Sequence, residues 1–294
     1  MKQDAAAPPT ALAVAIALTS VYLVWGSTYL AIRVGLDGYP PFLMGSLRFI
    51  AAALAFYGVL RWRGHAPPTR AQWRNAAVMG LFMMLLGNGL VNVAEQTVSS
   101  GLAAVAVASM PLWAGVFGML RGQHPSRGEW LGLVVGFAGV VWPYFDGEMQ
   151  ASLVGMVALV LAPMAWAWGS VWSRGRDLPA PFMSTAAQML CGGVAMGVLG
   201  LLLGERITTV PPLSATLAVG YLAAFGSIVG FSAYVWLLHH VRPALATSYA
   251  YVNPPIAVLL GALLLGERVG ADAVGAMAVI LAGVLIISRS KARA

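Results

Sequence analysis

Residues 11–34 read ALAVAIALTSVYLVWGSTYLAIRV, with Arg33 as their single charge. At about 1.5 Å per residue, a helix over this stretch exceeds the ~30 Å hydrocarbon core of a bilayer. No small-x-small cleavage site follows a short apolar core, so the stretch reads as a retained helix rather than a signal peptide. Its Trp25-Gly26-Ser27 returns 143 residues later as Trp168-Gly169-Ser170. A spanning helix that carries one copy of a repeat decides how the remaining sequence is read.

Working outward, continuous apolarity predicts ten spans, at 11–34, 42–61, 74–94, 98–120, 128–145, 153–173, 182–203, 213–238, 244–265 and 270–288. Hydrophobic residues make up 60% of the chain and charged residues 9%. A soluble domain carries roughly a quarter charged residues, so much of this surface must face lipid. The short connections leave no room for a soluble catalytic domain. The single cysteine, Cys191, falls in an apolar run and reads as a small core residue.

The net charge of +7 is distributed unevenly. With a cytoplasmic N-terminus, the inside segments hold Lys2, Arg61, Arg63, Arg70, Arg74, Arg121, Arg127, Arg174, Arg176, Arg242, Arg289, Lys291 and Arg293. The outside ends hold only Arg33, Arg206 and Arg268, and Arg48 lies within a helix. This is the positive-inside pattern, and it predicts both termini in the cytoplasm of a multi-pass bacterial inner-membrane protein. It also makes the basic charge a topology signal rather than a nucleic-acid footprint.

The repeat extends beyond one tripeptide. Leu102-Ala103, Pro111, Gly118 and Gly132 match Leu245-Ala246, Pro254, Gly261 and Gly275 at the same offset, and Pro41-Phe42 recurs as Pro181-Phe182. The halves are expected at 11–146 and 151–288. Each unit holds five helices, an odd number, so the second enters from the opposite side. The expected fold is therefore all-α: ten transmembrane helices as two inverted five-helix repeats, an architecture common among alternating-access carriers.

Taken together, these motifs resemble the drug/metabolite transporter superfamily. They are the Trp-Gly-Ser of each half, Pro-Phe opening each second helix, Arg48-Phe49, the prolines of helices 4 and 9, and Leu264-Leu265-Gly266-Glu267. Two EamA-type units would cover about 14–145 and 153–288, and the pattern is most similar to the YddG-type aromatic amino-acid exporters. Gly122-Gln123 departs from the Gly-Glu ending found in the second half. The resemblance implies a central cavity between the halves and export of amino acids or related metabolites.

Mid-helix polar groups are costly in lipid and are expected to face the interior. Asn88 and Asn92 share a face of helix 3, which Met84 continues, and Tyr249 and Asn253 share one on helix 9. Each pair is a candidate substrate contact, with interhelical hydrogen bonding as the alternative. Tyr22, Trp25 and Tyr29 form a stripe on helix 1, and Met164, Trp168 and Trp172 on helix 6. The repeat maps Trp25 onto Trp168 and Tyr29 onto Trp172, so the stripes are expected to form opposite walls of one cavity, or else to pack the core. Arg48 is a candidate anion contact; snorkelling, or pairing with Glu95, is the alternative.

Several absences narrow the function. No carboxylate falls near mid-membrane, since Glu95 and Glu267 lie near outer ends, which argues against proton drive. His65, His124, His239 and His240 fall in or beside cytoplasmic loops. No phosphate loop, catalytic Ser–His pair or metal-ligand spacing is present, so neither an enzyme nor a cofactor is expected. The expected partners are a small-molecule substrate and the lipid bilayer; a monomer is expected, with a dimer as the open alternative. Rival readings are a carrier of nucleobases, drugs or sugar-phosphates, and a non-transporting scaffold. Gly128, Gly132 and Gly136, and likewise Gly226 and Gly230, form small-residue ridges for close packing within the monomer or across a dimer.

Pro111, Pro163 and Pro254 fall near mid-membrane as candidate hinges, with a static kink as the alternative. Hinge prolines would slow transport when replaced. Pro→Ala variants with normal expression and normal flux would remove that role.

Overall fold

A computed structural model describes residues 10–120, 122, 126–142, 152–241, 249–267 and 270–290. Lys2, Arg121, Gln123, His124, Arg242, Arg268, Lys291, Arg293 and the expected boundary at 146–151 lie outside the described residues, as do 143–145 and 244–248 of the expected spans. All regular structure in the described residues is helical.

Ten rods follow one another: α1 (Ala11–Gly35), α2 (Pro41–Trp62), α3 (Arg70–Ala94), α4 (Ser100–Met119), α5 (Arg127–Val141), α6 (Leu153–Ser173), α7 (Pro181–Leu202), α8 (213–240), α9 (Tyr249–Leu265) and α10 (Ala271–Arg289). Seven of them, α1–α4 and α6–α8, are long and apolar enough to cross a membrane. The fold is an all-α membrane fold.

Local chemistry sets the helix starts. Thr10, Ser99 and Ser152 accept backbone N–H bonds as N-caps, while Thr69 with Gln72 and Ser126 with Glu129 form reciprocal capping boxes. Pro41 and Pro181 open α2 and α7, where a missing N–H costs nothing.

The packing has a five-helix periodicity. α2 lies along α7 and α5 along α10; α1 packs on α8 and α9 as α6 packs on α3 and α4. Shifting every helix number by five maps each set of neighbours onto the other, as a twofold relation between inverted repeats requires. Backbone geometry repeats as well. α3 widens into i→i+5 turns over Gly80–Asn88, and α8 does the same over Leu222–Val229.

Small residues permit these crossings. A Cβ on Gly80 would lie 2.5 Å from the Gln188 carbonyl of α7, and one on Gly283 of α10 would lie 2.5 Å from the Gly136 backbone. The α5 ridge thus meets α10 inside the monomer, with Gly128 against Ser290. Gly226 and Gly230 of the second ridge receive Thr28 and Trp25 of α1.

One expected span differs. The run 98–120 was expected to be continuous, but the helix is interrupted at Ala108–Ser109, where the Ser109 N–H turns to the Ala106 carbonyl. Pro111 lies just beyond, with no N–H to give and a ring that crowds the carbonyl four residues back. Pro163 and Pro254 instead lie inside helices that continue through them.

Glu95, Glu205 and Glu267 lie where α3, α7 and α9 finish, here termed the glutamate end. Arg61, Arg63, Arg70, Arg74, Arg127, Arg174, Arg176 and Arg289 lie at the opposite, arginine end.

Gly80→Ala forces α3 and α7 apart at a backbone contact and should cost about 1–3 kcal/mol, the usual penalty of overpacking. Gly58, with nothing within 4 Å of its added Cβ, is the control. Thermal unfolding in detergent should be lowered by Gly80→Ala and left unchanged or raised by Gly58→Ala.

Candidate functional site

A cavity of about 90 Å³ lies in the middle of the bundle. On this measure one water requires roughly 10–15 Å³, so there is room for several waters, an amino-acid-sized volume. Both halves contribute. Trp25, Thr28, Tyr29 and Ile32 come from one face of α1, Arg48 from α2, Asn88 and Val91 from α3, and Ala104, Val107 and Met110 from α4. α6 adds Pro163 and Trp166, α8 adds Phe231, and α9 adds Tyr249, Asn253 and Pro254.

Trp25 organises the aromatic wall. Its indole N–H donates to the Gly226 carbonyl at 3.1 Å, within the wide turns of α8. Around its ring stand Tyr249, Phe231 and Tyr234 at centroid distances of 4.8, 5.1 and 5.2 Å, with the Tyr249 and Phe231 rings edge-on. Such edge-to-face pairs add about 0.5–1.5 kcal/mol each beyond burial. Trp166 stacks on the far side of Phe231. Ser27 and Tyr221, 2.6 Å apart through their hydroxyls, tie α1 to α8 nearby.

Two polar groups face this wall. Arg48 is 4% exposed, donates from Nε to Ser227 Oγ at 3.0 Å, and lies over the Phe49 ring. The residue lines the cavity, with Nη2 beside Gly226 of α8. Asn253 is also buried, and its Oδ1 has no hydrogen-bond partner. Buried polar atoms are nearly always satisfied, so an orphaned acceptor lining a cavity indicates a place for a donor.

Of the residues singled out from sequence, Trp25, Tyr29, Arg48, Asn88, Pro163, Tyr249, Asn253 and Pro254 are brought together around the cavity. Asn92, Trp168, Trp172 and Pro111 are not. Asn92 is buried and donates to the Pro41 carbonyl at 3.0 Å, holding α3 to α2. Trp168 sets its ring edge-on to Phe117, and Trp172 lies under the Arg176 guanidinium. The expectation that Trp25 and Trp168 face one another across a cavity is therefore corrected.

The reason is local. By the 143-residue offset, the Met83 carbonyl corresponds to that of Gly226, which receives Trp25. Met83 instead accepts from the Asn88 side chain at 3.0 Å. With that acceptor taken, the indole of the second half at the cavity is Trp166, two residues earlier and on a different face of α6.

Sequence reasoning missed Trp166, Phe231 and Glu205. The last had a visible signal: Leu-Leu-Leu-Gly-Glu occurs at both 201–205 and 263–267. The two glutamates do the same work. Glu205 accepts from the Phe42 and Leu43 N–H groups that open α2, and Glu267 from the N–H and hydroxyl of Ser100 that open α4. Each places a carboxylate on the positive end of a helix dipole. Each also joins a second-half helix to a first-half one, so the halves are latched at the glutamate end, while at the arginine end Gln72 of α3 donates to Asp177 at 2.9 Å and Asn75 to its backbone carbonyl. Gly204 and Gly266 make the preceding turns at φ 83° and 63°, a region that favours glycine.

Glu95 differs from what its position near a helix end suggested. It is 0% exposed, and neither carboxylate oxygen has a hydrogen-bond partner. The Arg48–Glu95 pair offered as an alternative does not form. Arg48 reaches Ser227, and Arg33 Nη1 donates to the backbone carbonyl of Glu95.

Comparison with known proteins identifies the fold's relatives. The EamA-like transporter family model matches residues 12–145 and again 153–289. The inner membrane transporter YedA of Escherichia coli is 42% identical over 276 residues, covering 94% of this chain and 90% of that protein. A protein of Streptantibioticus cattleyicolor, named as a probable terminal-alkyne amino-acid exporter, is 28% identical over 93% of this chain and 92% of its own length. A solved structure titled "Crystal structure of protein" shares the fold with a TM-score of 0.67 at 20% identity, over 94% of this chain and 97% of that one. The chain is a multi-pass inner-membrane protein with two copies of the family's unit, and it belongs to the EamA-like transporter family.

Proposed function

We propose that this transporter exports amino acids, neutral or aromatic, and related metabolites, by alternating access around the central cavity. The carrying observation is the pairing of Arg48 with Asn253 on one aromatic-walled cavity between the halves. A guanidinium lining the cavity suits a carboxylate, an orphaned amide oxygen suits an ammonium group, and edge-on and stacked rings suit a flat or apolar side chain. The volume favours one amino acid over a nucleotide or sugar-phosphate, which would also call for several cations. The amino-acid exporter among the relatives supports the same class.

In this reading the units 11–146 and 151–288 rock against each other, and the arginine end faces the cytoplasm by the positive-inside rule. The latched glutamate end then faces outward.

Flux tests the proposal. Purified protein in liposomes should exchange labelled neutral and aromatic amino acids, and absence of flux for every amino acid tested rejects the reading. Arg48→Gln should raise KM for amino acids by about 10–100-fold, the worth of a hydrogen bond to a charged group. It should leave the corresponding carboxylate-free amines nearly unaffected. Trp25→Ala should lower flux of all substrates, because it removes the wall and releases α8.

A further inference from the structure

Glu95 lies one helical turn beyond Val91, a residue that lines the cavity, toward the latched glutamate end. Its surroundings are charged but do not hold it. α1 brings Arg33 and Tyr29, α2 brings Arg48, and Glu267 follows α9. α6, which packs on the same turn, carries no titratable residue between Leu153 and Ser173. Arg33 is engaged with the Glu95 carbonyl and Arg48 with Ser227. Both carboxylate oxygens are left without a bond.

An ionised carboxylate buried without hydrogen bonds is expensive, by several kcal/mol, and the near cations offset that only when they close on it. The second acid, Glu267, works against a negative charge at Glu95. A protonated Glu95 suits the observed geometry; an ionised one does not.

We propose that Glu95 is a proton-binding site of the carrier, taking up one proton as the glutamate end closes and returning it to water when that end opens. Ser227 belongs to α8 of the second half and Arg48 to α2 of the first. Parting the halves breaks the Arg48–Ser227 bond and the Glu267 cap together. Arg48 is then free to meet the Glu95 carboxylate while water reaches it, and the acid releases its proton to that water. Closure reverses each step. The cycle is thereby linked to protons by a carboxylate outside the cavity, without direct contact to the substrate. This deepens the carrier reading, and its test needs no substrate.

Infrared titration of the whole protein in nanodiscs, from about pH 5 to pH 9, reads the protonated carboxyl directly. Wild type should show at pH 7 a protonated-carboxyl band that Glu95→Gln lacks. Hydrogen exchange, corrected for its intrinsic pH dependence, should show segments 36–43 and 95–101 losing about tenfold protection at high pH in wild type but not in Glu95→Gln. Ser227→Ala keeps the acid and frees Arg48, so it should move the band's midpoint down by about one pH unit, as a newly available opposite charge does. A spectrum unchanged by Glu95→Gln overturns the proposal. So does protection that follows pH identically in both proteins, or a midpoint unmoved by Ser227→Ala. Flux without these signatures keeps the carrier and rejects the proton site; the signatures without amino-acid flux do the reverse.

Discussion

In a bilayer core no water is available to satisfy a backbone group that a helix leaves free. The structure is organised around that constraint. Wide turns in α3 and α8 shift backbone carbonyls out of the regular ladder, and in each a side-chain N–H of the first half answers. In α8 the donor is Trp25, reaching from the other half to Gly226. In α3 it is Asn88, from the same helix, to Met83. The first solution draws α1 onto α8 and sets the indole among Phe231, Tyr234 and Tyr249. The second closes locally and leaves Trp168 elsewhere. One constraint met in two ways makes a symmetric scaffold carry an asymmetric site.

The same logic governs the helix ends. Glu205 and Glu267 satisfy the free N–H groups opening α2 and α4, and in doing so bind one half to the other. The corresponding turn of the first half, Gly64-His65, offers no carboxylate at the arginine end. At that end the halves meet instead through Asp177, which accepts from Gln72 and Asn75 of α3. Glu95 lies beside the glutamate latch, buried and unsatisfied.

Much of this was legible in the sequence. The ten spans, the five-helix period and the family came from apolar runs, a shared offset and ordered motifs, which depend on composition and spacing alone. Trp25, Tyr29, Asn88, Tyr249 and Asn253 were also recoverable, because four-residue spacing places polar and aromatic groups on one face. Trp166 was not, since the repeat pointed to Trp168 and nothing in the sequence shows that Asn88 occupies the equivalent carbonyl. Asn92 follows the interhelical alternative that its position left open: it donates to the Pro41 carbonyl of a neighbouring helix. Glu95 was legible as a residue near an outer helix end but not as a buried one, because distance along a helix does not report depth within a bundle.

By itself, the sequence determined that this chain crosses a membrane as two inverted five-helix units, because hydropathy and periodicity are properties of the chain and of lipid. Only the tertiary structure decided which indole meets the cavity, which acids latch the halves and which carboxylate is left without a partner. Those outcomes depend on which side chain reaches a given backbone group first, and that competition takes place between helices distant in sequence.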